Sequence, residues 1–232
     1  MKILLDTADI NDIGYFCENY PVIGVTTNPT ILSRVGGDVV SRLLEIRKLL
    51  TSKYELHVQV TEQSYDKIIE EAHAIVNLLG DNTFVKIPIS DVGLHATKTL
   101  TSQGINVTAT AILTATQAML AAEAGAVYVA PYVSRLDNIM ADGVGTVSQI
   151  AEIFKIHSIN SKILAASFKT ASQVLEVALV GAHCATVSTD ILHLLSSHPT
   201  TTTSIEGFDK DFKSAFNKMT LLELIKKNSN KF

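Results

Sequence analysis

Eight short apolar segments recur along this chain, and a segment with helical spacing of apolar residues follows each of them. The first apolar segment begins at Lys2 and the last ends at Val187. Strands that alternate with helices pair in parallel, because each helix carries the chain back to the start of the next strand. Eight such units in 232 residues predict an α/β fold with a single (β/α)8 barrel of the TIM type. A doubly wound open sheet is the alternative that the same alternation allows.

An additional helix is predicted after the eighth unit, over residues 204–228. Its apolar residues recur at helical spacing, and this stripe packs either on its own barrel or on a neighbouring subunit. The sequence contains no linker or low-complexity tract, so we expect residues 1–232 to form one barrel domain with this helix attached. The segment Tyr132 to Asp137 is expected to be the loop after the sixth strand.

Composition excludes several classes of function. The net charge is −4 and no basic cluster is present, which argues against a nucleic-acid partner. No stretch is apolar enough for a transmembrane helix, and Asp6 interrupts the N-terminus early, which is unlike a signal peptide. We therefore expect a cytoplasmic protein without a membrane partner. Cys17 and Cys184 form no CxxC motif and the seven histidines are scattered, so we expect no metal site.

Lys86 is a single ammonium group in the apolar run from Thr83 to Ile89. A run of this length reads as a strand that is buried on both faces. Burial lowers the pKa of a lysine, and a neutral lysine is a nucleophile that can form a Schiff base with a carbonyl group. The alternative is a lysine at a strand end that extends to solvent, and this segment alone does not decide between the two readings.

In a (β/α)8 barrel, catalytic groups lie at the carboxyl ends of the strands. Turns are polar in any protein, so each polar residue at such an end is weak evidence, and the argument depends on their convergence. The polar residues at these ends are Asp6, Thr26, Asn28, Gln59, Lys86, Thr110, Tyr132, Arg135, Ser167 and Lys169.

Chemistry suggests a role for each of these residues, and each also has a plain structural reading. Asp6 is a candidate for proton transfer, but it also suits a helix cap or an ion pair with Lys86. Thr26, Asn28 and Thr110 offer hydrogen bonds to ligand hydroxyls or to a bound water molecule, and Thr26 and Asn28 could instead shape a turn. Tyr132 can orient water or carry a proton, or it can pack at the rim.

Arg135, Ser167 and Lys169 follow the sixth and seventh strands, next to the region where such barrels often bind phosphate. A guanidinium, a hydroxyl and an ammonium suit this anion, and a solvated rim is the alternative. Lys169 is also the rival for the nucleophile, although it follows a strand instead of lying within one, so that burial should lower its pKa less.

Five segments together resemble a known family. They read Leu5-Asp6-Thr7-Ala8, Gly24-Val25-Thr26-Thr27-Asn28-Pro29-Thr30, Val85-Lys86-Ile87-Pro88, Ala130-Pro131-Tyr132-Val133-Ser134-Arg135-Leu136-Asp137 and Ala165-Ala166-Ser167-Phe168-Lys169. The chain resembles the short-chain transaldolase and fructose-6-phosphate aldolase family of class I aldolases over nearly its whole length. The resemblance implies a barrel with the Schiff-base lysine at Lys86, proton transfer by Asp6, and phosphate contacts from Arg135 and Ser167, with Lys169 where transaldolases often have arginine.

Two positions separate the branches of that family. Transaldolases usually have Glu and Phe where this chain has Gln59 and Tyr132, whereas the aldolase branch has Gln and Tyr with a water molecule between them and a threonine that corresponds to Thr110. The chain is therefore similar to the aldolase branch, although Ile112-Leu113 replaces an apolar-Tyr pair that some members have. The implied reaction is the reversible cleavage of fructose 6-phosphate to dihydroxyacetone and glyceraldehyde 3-phosphate.

Two other functions stay open at this point. One is a transaldolase that passes the three-carbon unit between sugar phosphates in the pentose phosphate pathway. The other is a non-catalytic protein that binds sugar phosphates and leaves Lys86 solvated. For either enzyme, the resemblance implies sugar phosphates and short hydroxyketones as partners, no cofactor, and a homo-oligomer, in this family often a decamer of two pentameric rings.

Overall fold

The computed structural model describes residues 1–229. Its eight strands are all parallel and close into a barrel in which each strand pairs with the next along the chain and the last pairs with the first. This architecture confirms the predicted (β/α)8 barrel and excludes the open sheet. The strands are β1 (Lys2–Asp6), β2 (Val22–Thr26), β3 (Glu55–Gln59), β4 (Thr83–Pro88), β5 (Val107–Ile112), β6 (Tyr128–Pro131), β7 (Lys162–Ala165) and β8 (Cys184–Val187).

Helices follow every strand, and several begin at the capping residues that the sequence indicates. Asp9 caps the helix that begins at Ile10, and its carboxylate accepts hydrogen bonds from the backbone N–H groups of Asn11 and Asp12. Ser90 caps the helix that begins at Asp91, where its hydroxyl oxygen accepts from the backbone N–H of Gly93. The helices are α1 (Ile10–Asn19), α2 (Pro29–Val35), α3 (Val39–Leu50), α4 (Tyr65–Leu79), α5 (Asp91–Ser102), α6 (Ala115–Glu123), α7 (Val133–Asp137), α8 (Gly143–Ile156), α9 (Ala171–Leu179), α10 (Thr189–Ser196), α11 (Pro199–Ala215) and α12 (Leu221–Ser229).

One short helix, α7, occupies the segment after β6 that we expected to be a loop. Tyr132 bridges to Ala166 beyond β7, and the backbone N–H of Val133 donates to the carbonyl oxygen of Ala166 at 2.9 Å. These bonds hold the start of α7 against the end of the neighbouring strand. The loop prediction for this segment is therefore wrong in its secondary structure.

Alternation along β4 places Lys86 inside the barrel. Val85 and Ile87 point outward and belong to the cluster that packs against the surrounding helices. Phe84 points inward, where it packs with Tyr128 and stacks on His57 at 4.5 Å between ring centroids. Lys86 has the same parity as Phe84 and lies one step nearer to the carboxyl end of the barrel.

The chain separates into two compact units, Met1–Leu192 with the barrel and a second that begins at His193. The second unit corrects the prediction of one helix over 204–228, because α11 ends at Ala215 and α12 begins at Leu221. Asn217 and Lys218 between them have φ of 51° and 61°, in the left-handed region that ends an α-helix. None of the helices within residues 1–229 has both the length and the apolar character needed to span a membrane.

Candidate active site

A cavity of about 410 Å³ opens at the carboxyl ends of the barrel strands. It is lined by residues at or after seven of the eight strands, β3 being the exception within the described chain. All of the predicted site residues except Gln59 line it. The polar residues at the strand ends therefore converge on one cavity, as the barrel fold predicts.

The side chain of Lys86 is buried, with 6% of the residue exposed. Its Nζ donates a hydrogen bond of 2.7 Å to the backbone carbonyl oxygen of Thr27, just beyond β2. Burial lowers the pKa of Lys86, and the negative charge of Asp6 partly opposes this by raising it. The structure therefore contradicts the reading of Lys86 as a lysine that extends to bulk solvent.

Asp6 ends β1 and its carboxylate is held by a neighbouring strand. Its Oδ1 accepts a hydrogen bond of 2.7 Å from the hydroxyl of Thr26, and that hydroxyl lies 2.6 Å from Oγ1 of Thr186 on β8. Asp9 caps α1 instead of Asp6, and no ion pair shorter than 4.0 Å joins Asp6 to Lys86 in the described chain. The carboxylate thus stays beside the amine without being neutralised by direct contact.

Thr110 and Tyr132 form an uncharged pair at the opposite part of the cavity wall. Oγ1 of Thr110 lies 3.2 Å from the phenol oxygen of Tyr132, so that one hydroxyl donates to the other. The guanidinium of Arg135 lies over the Tyr132 ring, 4.6 Å from its centroid. The ring is therefore fixed on one side by a hydrogen bond at its hydroxyl and on its face by a cation.

Arg135, Ser167 and Lys169 are brought together by α7 and by the segment after β7, and all three line the cavity. The backbone N–H of Ser134 donates to the carbonyl oxygen of Ser167 at 2.7 Å, which ties the two segments to each other. Ser167 has φ of 64°, a left-handed conformation that is uncommon for a residue with a side chain. This arrangement offers a guanidinium, a hydroxyl and an ammonium to one anion.

Thr26 and Asn28 also line the cavity, and both have a structural role as well. The side-chain oxygen of Asn28 caps α2 by accepting from the backbone N–H of Ile31 at 3.0 Å, which leaves its amide nitrogen free to donate. The two readings from the sequence, turn formation and ligand binding, are thus compatible in the same residue.

Gln59 is the predicted site residue that does not line the cavity, as far as the described chain shows. It ends β3 and pairs in register with Lys86 on β4, and the alternation of the strand directs it to the barrel interior. Three residues that were not predicted from the sequence also line the cavity, namely Arg34, Thr186 and Ser188. Thr186 and Ser188 could have been found by reading the end of the eighth strand as the other seven were read.

A second polar cluster lies inside the barrel next to Lys86. His57 is fully buried, its Nδ1 lies 2.9 Å from Oγ1 of Thr108, and its Nε2 lies 3.3 Å from a carboxylate oxygen of Glu55. The phenol of Tyr128 donates to the same carboxylate. Burial lowers the pKa of His57, and the charge of Lys86 lowers it further, whereas Glu55 raises it. Residues 1–229 contain no group of three or more His, Cys, Asp or Glu side chains that could hold a metal ion.

Comparisons with known proteins identify the family of this chain. The family described as transaldolase/fructose-6-phosphate aldolase matches residues 3–232. A probable fructose-6-phosphate aldolase from Streptococcus pneumoniae is 38% identical over 213 residues, 91% of this chain and 96% of that protein. A probable transaldolase from Clostridium botulinum is 39% identical over 216 residues, 93% of this chain and 98% of that protein.

Among solved structures, the 3,6-anhydro-D-galactonate cycloisomerase from Zobellia galactanivorans superposes with a TM-score of 0.57 at 11% identity, over 81% of this chain and 53% of that one. This likeness concerns the barrel fold alone. The match to the family model spans residues 3–232 and so includes every residue of the cavity, and each of the two relatives covers more than 90% of the chain. The chain therefore belongs to the transaldolase/fructose-6-phosphate aldolase family of enzymes.

Proposed function

We propose that this protein is a class I aldolase that reversibly cleaves fructose 6-phosphate to dihydroxyacetone and glyceraldehyde 3-phosphate, with Lys86 as the Schiff-base residue. The observation that carries the proposal is a buried amine of lowered pKa that faces a polar cavity together with the carboxylate of Asp6. A fraction of neutral amine at neutral pH is what attack on a ketone requires.

The first step joins the amine to the sugar. Nζ of Lys86 attacks the C2 carbonyl carbon of the open-chain ketose, and the carbinolamine loses one water molecule to give an iminium ion. The positive iminium then withdraws electrons from the neighbouring carbon. Burial of Lys86 favours this step because it raises the share of neutral amine, and the fixed bond to Thr27 limits the directions that the amine can take.

The second step breaks the C3–C4 bond. A base removes the proton of the C4 hydroxyl, the bond electrons move into the iminium to form an enamine, and glyceraldehyde 3-phosphate leaves. The enamine is then protonated at C3, and hydrolysis with one water molecule frees dihydroxyacetone and Lys86. Asp6 suits the proton transfers, because its carboxylate is held by Thr26 beside the amine and has no ion-pair partner there.

The pair of Thr110 and Tyr132 supports the aldolase over the transferase. The phenol of Tyr132 supplies a polar group where the family's transaldolases usually have Phe, and its bond to Thr110 leaves further hydrogen-bonding capacity for a water molecule. Hydrolysis of the enamine-derived iminium needs such a water. Gln59 beside Lys86 is uncharged and is a poor base, so proton transfer falls to Asp6 and Tyr132.

Arg135, Ser167 and Lys169 suit the phosphate group of the sugar. They lie after β6 and β7, where (β/α)8 barrels frequently bind phosphate, and they offer both charge and directed hydrogen bonds. We therefore propose sugar phosphates as substrates, and short hydroxyketones such as dihydroxyacetone as the other partner. The assembly expected from the family is a homo-oligomer.

Transaldolase activity is the second candidate, because the relative from Clostridium botulinum carries that name at 39% identity. In that reaction the three-carbon unit stays on Lys86 until an aldose phosphate accepts it. The two functions are separated by incubating the protein with fructose 6-phosphate, with and without erythrose 4-phosphate, and by measuring both free dihydroxyacetone and sedoheptulose 7-phosphate. We expect free dihydroxyacetone in both reactions. Strong formation of the seven-carbon sugar with negligible free dihydroxyacetone would establish the transferase instead.

A further inference from the structure

Most of the charged side chains that line the cavity are cationic, although the protein has a net charge of −4. Besides Lys86, three cationic side chains line it, Arg34, Arg135 and Lys169, whereas Asp6 is the single lining carboxylate in the described chain. Among residues 1–229, none of the three cations forms an ion pair with a carboxylate within 4.0 Å. Unpaired cations around one cavity attract anionic ligands.

The strand order places Arg34 across the cavity from Arg135. In a closed barrel of eight strands, β2 and β6 are separated by four positions on either side and therefore face each other. Arg34 lies in α2, which directly follows β2, and Arg135 lies in α7, which directly follows β6. A single phosphate on Arg135, Ser167 and Lys169 thus leaves Arg34 on the opposite side without an anion.

One other donor lies on the same side of the cavity, because Asn28 directly precedes α2 and also lines the cavity. The amide nitrogen of Asn28 is free to donate, because the side-chain oxygen alone caps α2. Arg34 is in the last turn of α2, where a cation also suits the helix dipole, but its side chain lines the cavity.

We propose that Arg34 and Asn28 form a second anion subsite, and that the cavity binds a sugar chain with a phosphate group at each end. The proposal rests on the proposed function in one respect, the assignment of the first phosphate to Arg135, Ser167 and Lys169. A ligand of this class extends across the mouth, with its hydroxyl groups facing Asp6 and Thr110 and its two phosphates at opposite walls.

Sugar alcohol phosphates test this subsite without any covalent chemistry, because they have no carbonyl group for Lys86 to attack. Isothermal titration calorimetry compares glucitol 1,6-bisphosphate with glucitol 6-phosphate on the full-length protein. We expect the bisphosphate to bind at least tenfold more tightly. Arg34→Ala should remove most of this difference, and Arg34→Lys should keep a part of it, since a point charge remains without the planar fork.

Arg42→Ala is the matched control, because Arg42 is an arginine of α3 that pairs with Glu45 and does not line the cavity. It should leave both affinities unchanged, whereas Arg135→Ala should weaken both ligands. Equal affinity of the two ligands for the native protein would overturn the proposal. So would an equal loss for both in Arg34→Ala, since Arg34 would then share the first phosphate. A native preference for the bisphosphate, together with no trapped Schiff base, would reject the proposed aldolase and keep the subsite.

Discussion

The side-chain amine of Lys86 on β4 donates its hydrogen bond to the backbone carbonyl oxygen of Thr27, 2.7 Å away and beyond the end of β2. Thr26, the residue before Thr27, holds the carboxylate of Asp6 through its hydroxyl. The end of β2 therefore positions both the nucleophile and the acid–base group, one through the main chain and the other through a side chain. The predictions below follow from this arrangement and from the burial that accompanies it.

Replacing Lys86 by Met should abolish cleavage of fructose 6-phosphate and should stabilise the fold. Burial lowers the pKa of Lys86 in the folded state below its unfolded value of about 10.5. Below pH 10.5 the unfolded state therefore binds a proton at this amine more tightly than the folded state does, and this difference destabilises the fold. Met removes this cost, and a gain of about 1 kcal/mol would raise Tm by roughly 2–4 °C at pH 7.5. The gain should shrink as the pH rises towards about 10.

Thermal unfolding followed by circular dichroism measures that gain. The exposed Lys98 on α5 provides the matched control, because Lys98→Met changes the same side chain without removing a buried amine. A lower Tm for Lys86→Met than for the native protein at pH 7.5 would mean that the buried amine stabilises the fold.

Replacing Asp6 by Asn should slow turnover while the Schiff base still forms. Loss of a general acid–base group typically costs about 10²–10⁴-fold in rate, so we expect kcat to fall within that range. The charge of Asp6 raises the pKa of Lys86, so Asp6→Asn should lower that pKa. The rate of Schiff-base formation increases with pH as the amine loses its proton, and this increase should occur at lower pH in the variant. Asp9→Asn is the control, since Asn also serves as a helix cap outside the cavity. Native kcat in Asp6→Asn would remove Asp6 from the mechanism.

Replacing Tyr132 by Phe should move the activity towards transfer. The change removes the hydroxyl that pairs with Thr110 and keeps the ring under Arg135. We expect the ratio of sedoheptulose 7-phosphate to free dihydroxyacetone to rise at least tenfold in the presence of erythrose 4-phosphate. Tyr65→Phe removes a similar hydroxyl bond, to Thr99, outside the cavity, and should not alter the ratio. An unchanged ratio in Tyr132→Phe would show that the phenol does not separate the two reactions.

The sequence was sufficient to predict the barrel and nine of the residues that line the cavity, because both depend on local patterns. The parity of β4 alone directs Lys86 inward, and strand ends alone place Asp6 and Tyr132 at a common mouth. Arg34 was not predicted, since it lies within a helix and reaches the cavity only through the direction of its long side chain. Gln59 shows the opposite case, in which a strand-end position and the correct register still leave a side chain outside the cavity lining.

The prediction of one helix over 204–228 failed for a different reason. The apolar spacing over 204–228 continues through the break, so periodicity alone predicted one helix. The break depends on the left-handed backbone of Asn217 and Lys218, which helical periodicity does not reveal. A local signal was present nonetheless, because Thr220 and Glu223 form the reciprocal bonds of a capping box at the start of α12.

Acidification should destabilise the barrel through His57. Its pKa lies below the unfolded value of about 6.5, so the unfolded state takes up a proton first, and stability that is complete above pH 6.5 is lost as the pH falls below it. We expect Tm to fall between pH 7 and pH 5.5 and the fall to be smaller in His57→Phe, which keeps an aromatic ring against Phe84. His183, whose pKa is also lowered by burial, accounts for part of what remains.

The exposed His157 serves as the control for this titration, because its replacement by Phe should leave the fall in Tm unchanged. Glu55 does not titrate between pH 7 and pH 5.5, because its pKa is lowered and affects stability only at lower pH. A fall in Tm of native size in His57→Phe would assign the acid sensitivity to other groups.

Reductive trapping tests the central claim most directly. The protein is incubated with dihydroxyacetone, reduced with sodium borohydride, digested and mapped by mass spectrometry, with Lys86→Met treated in parallel. We predict a three-carbon adduct on the peptide that contains Lys86 and no adduct in the variant. An adduct on Lys169, or full cleavage of fructose 6-phosphate by the Lys86→Met protein, would contradict the assignment of Lys86 as the nucleophile.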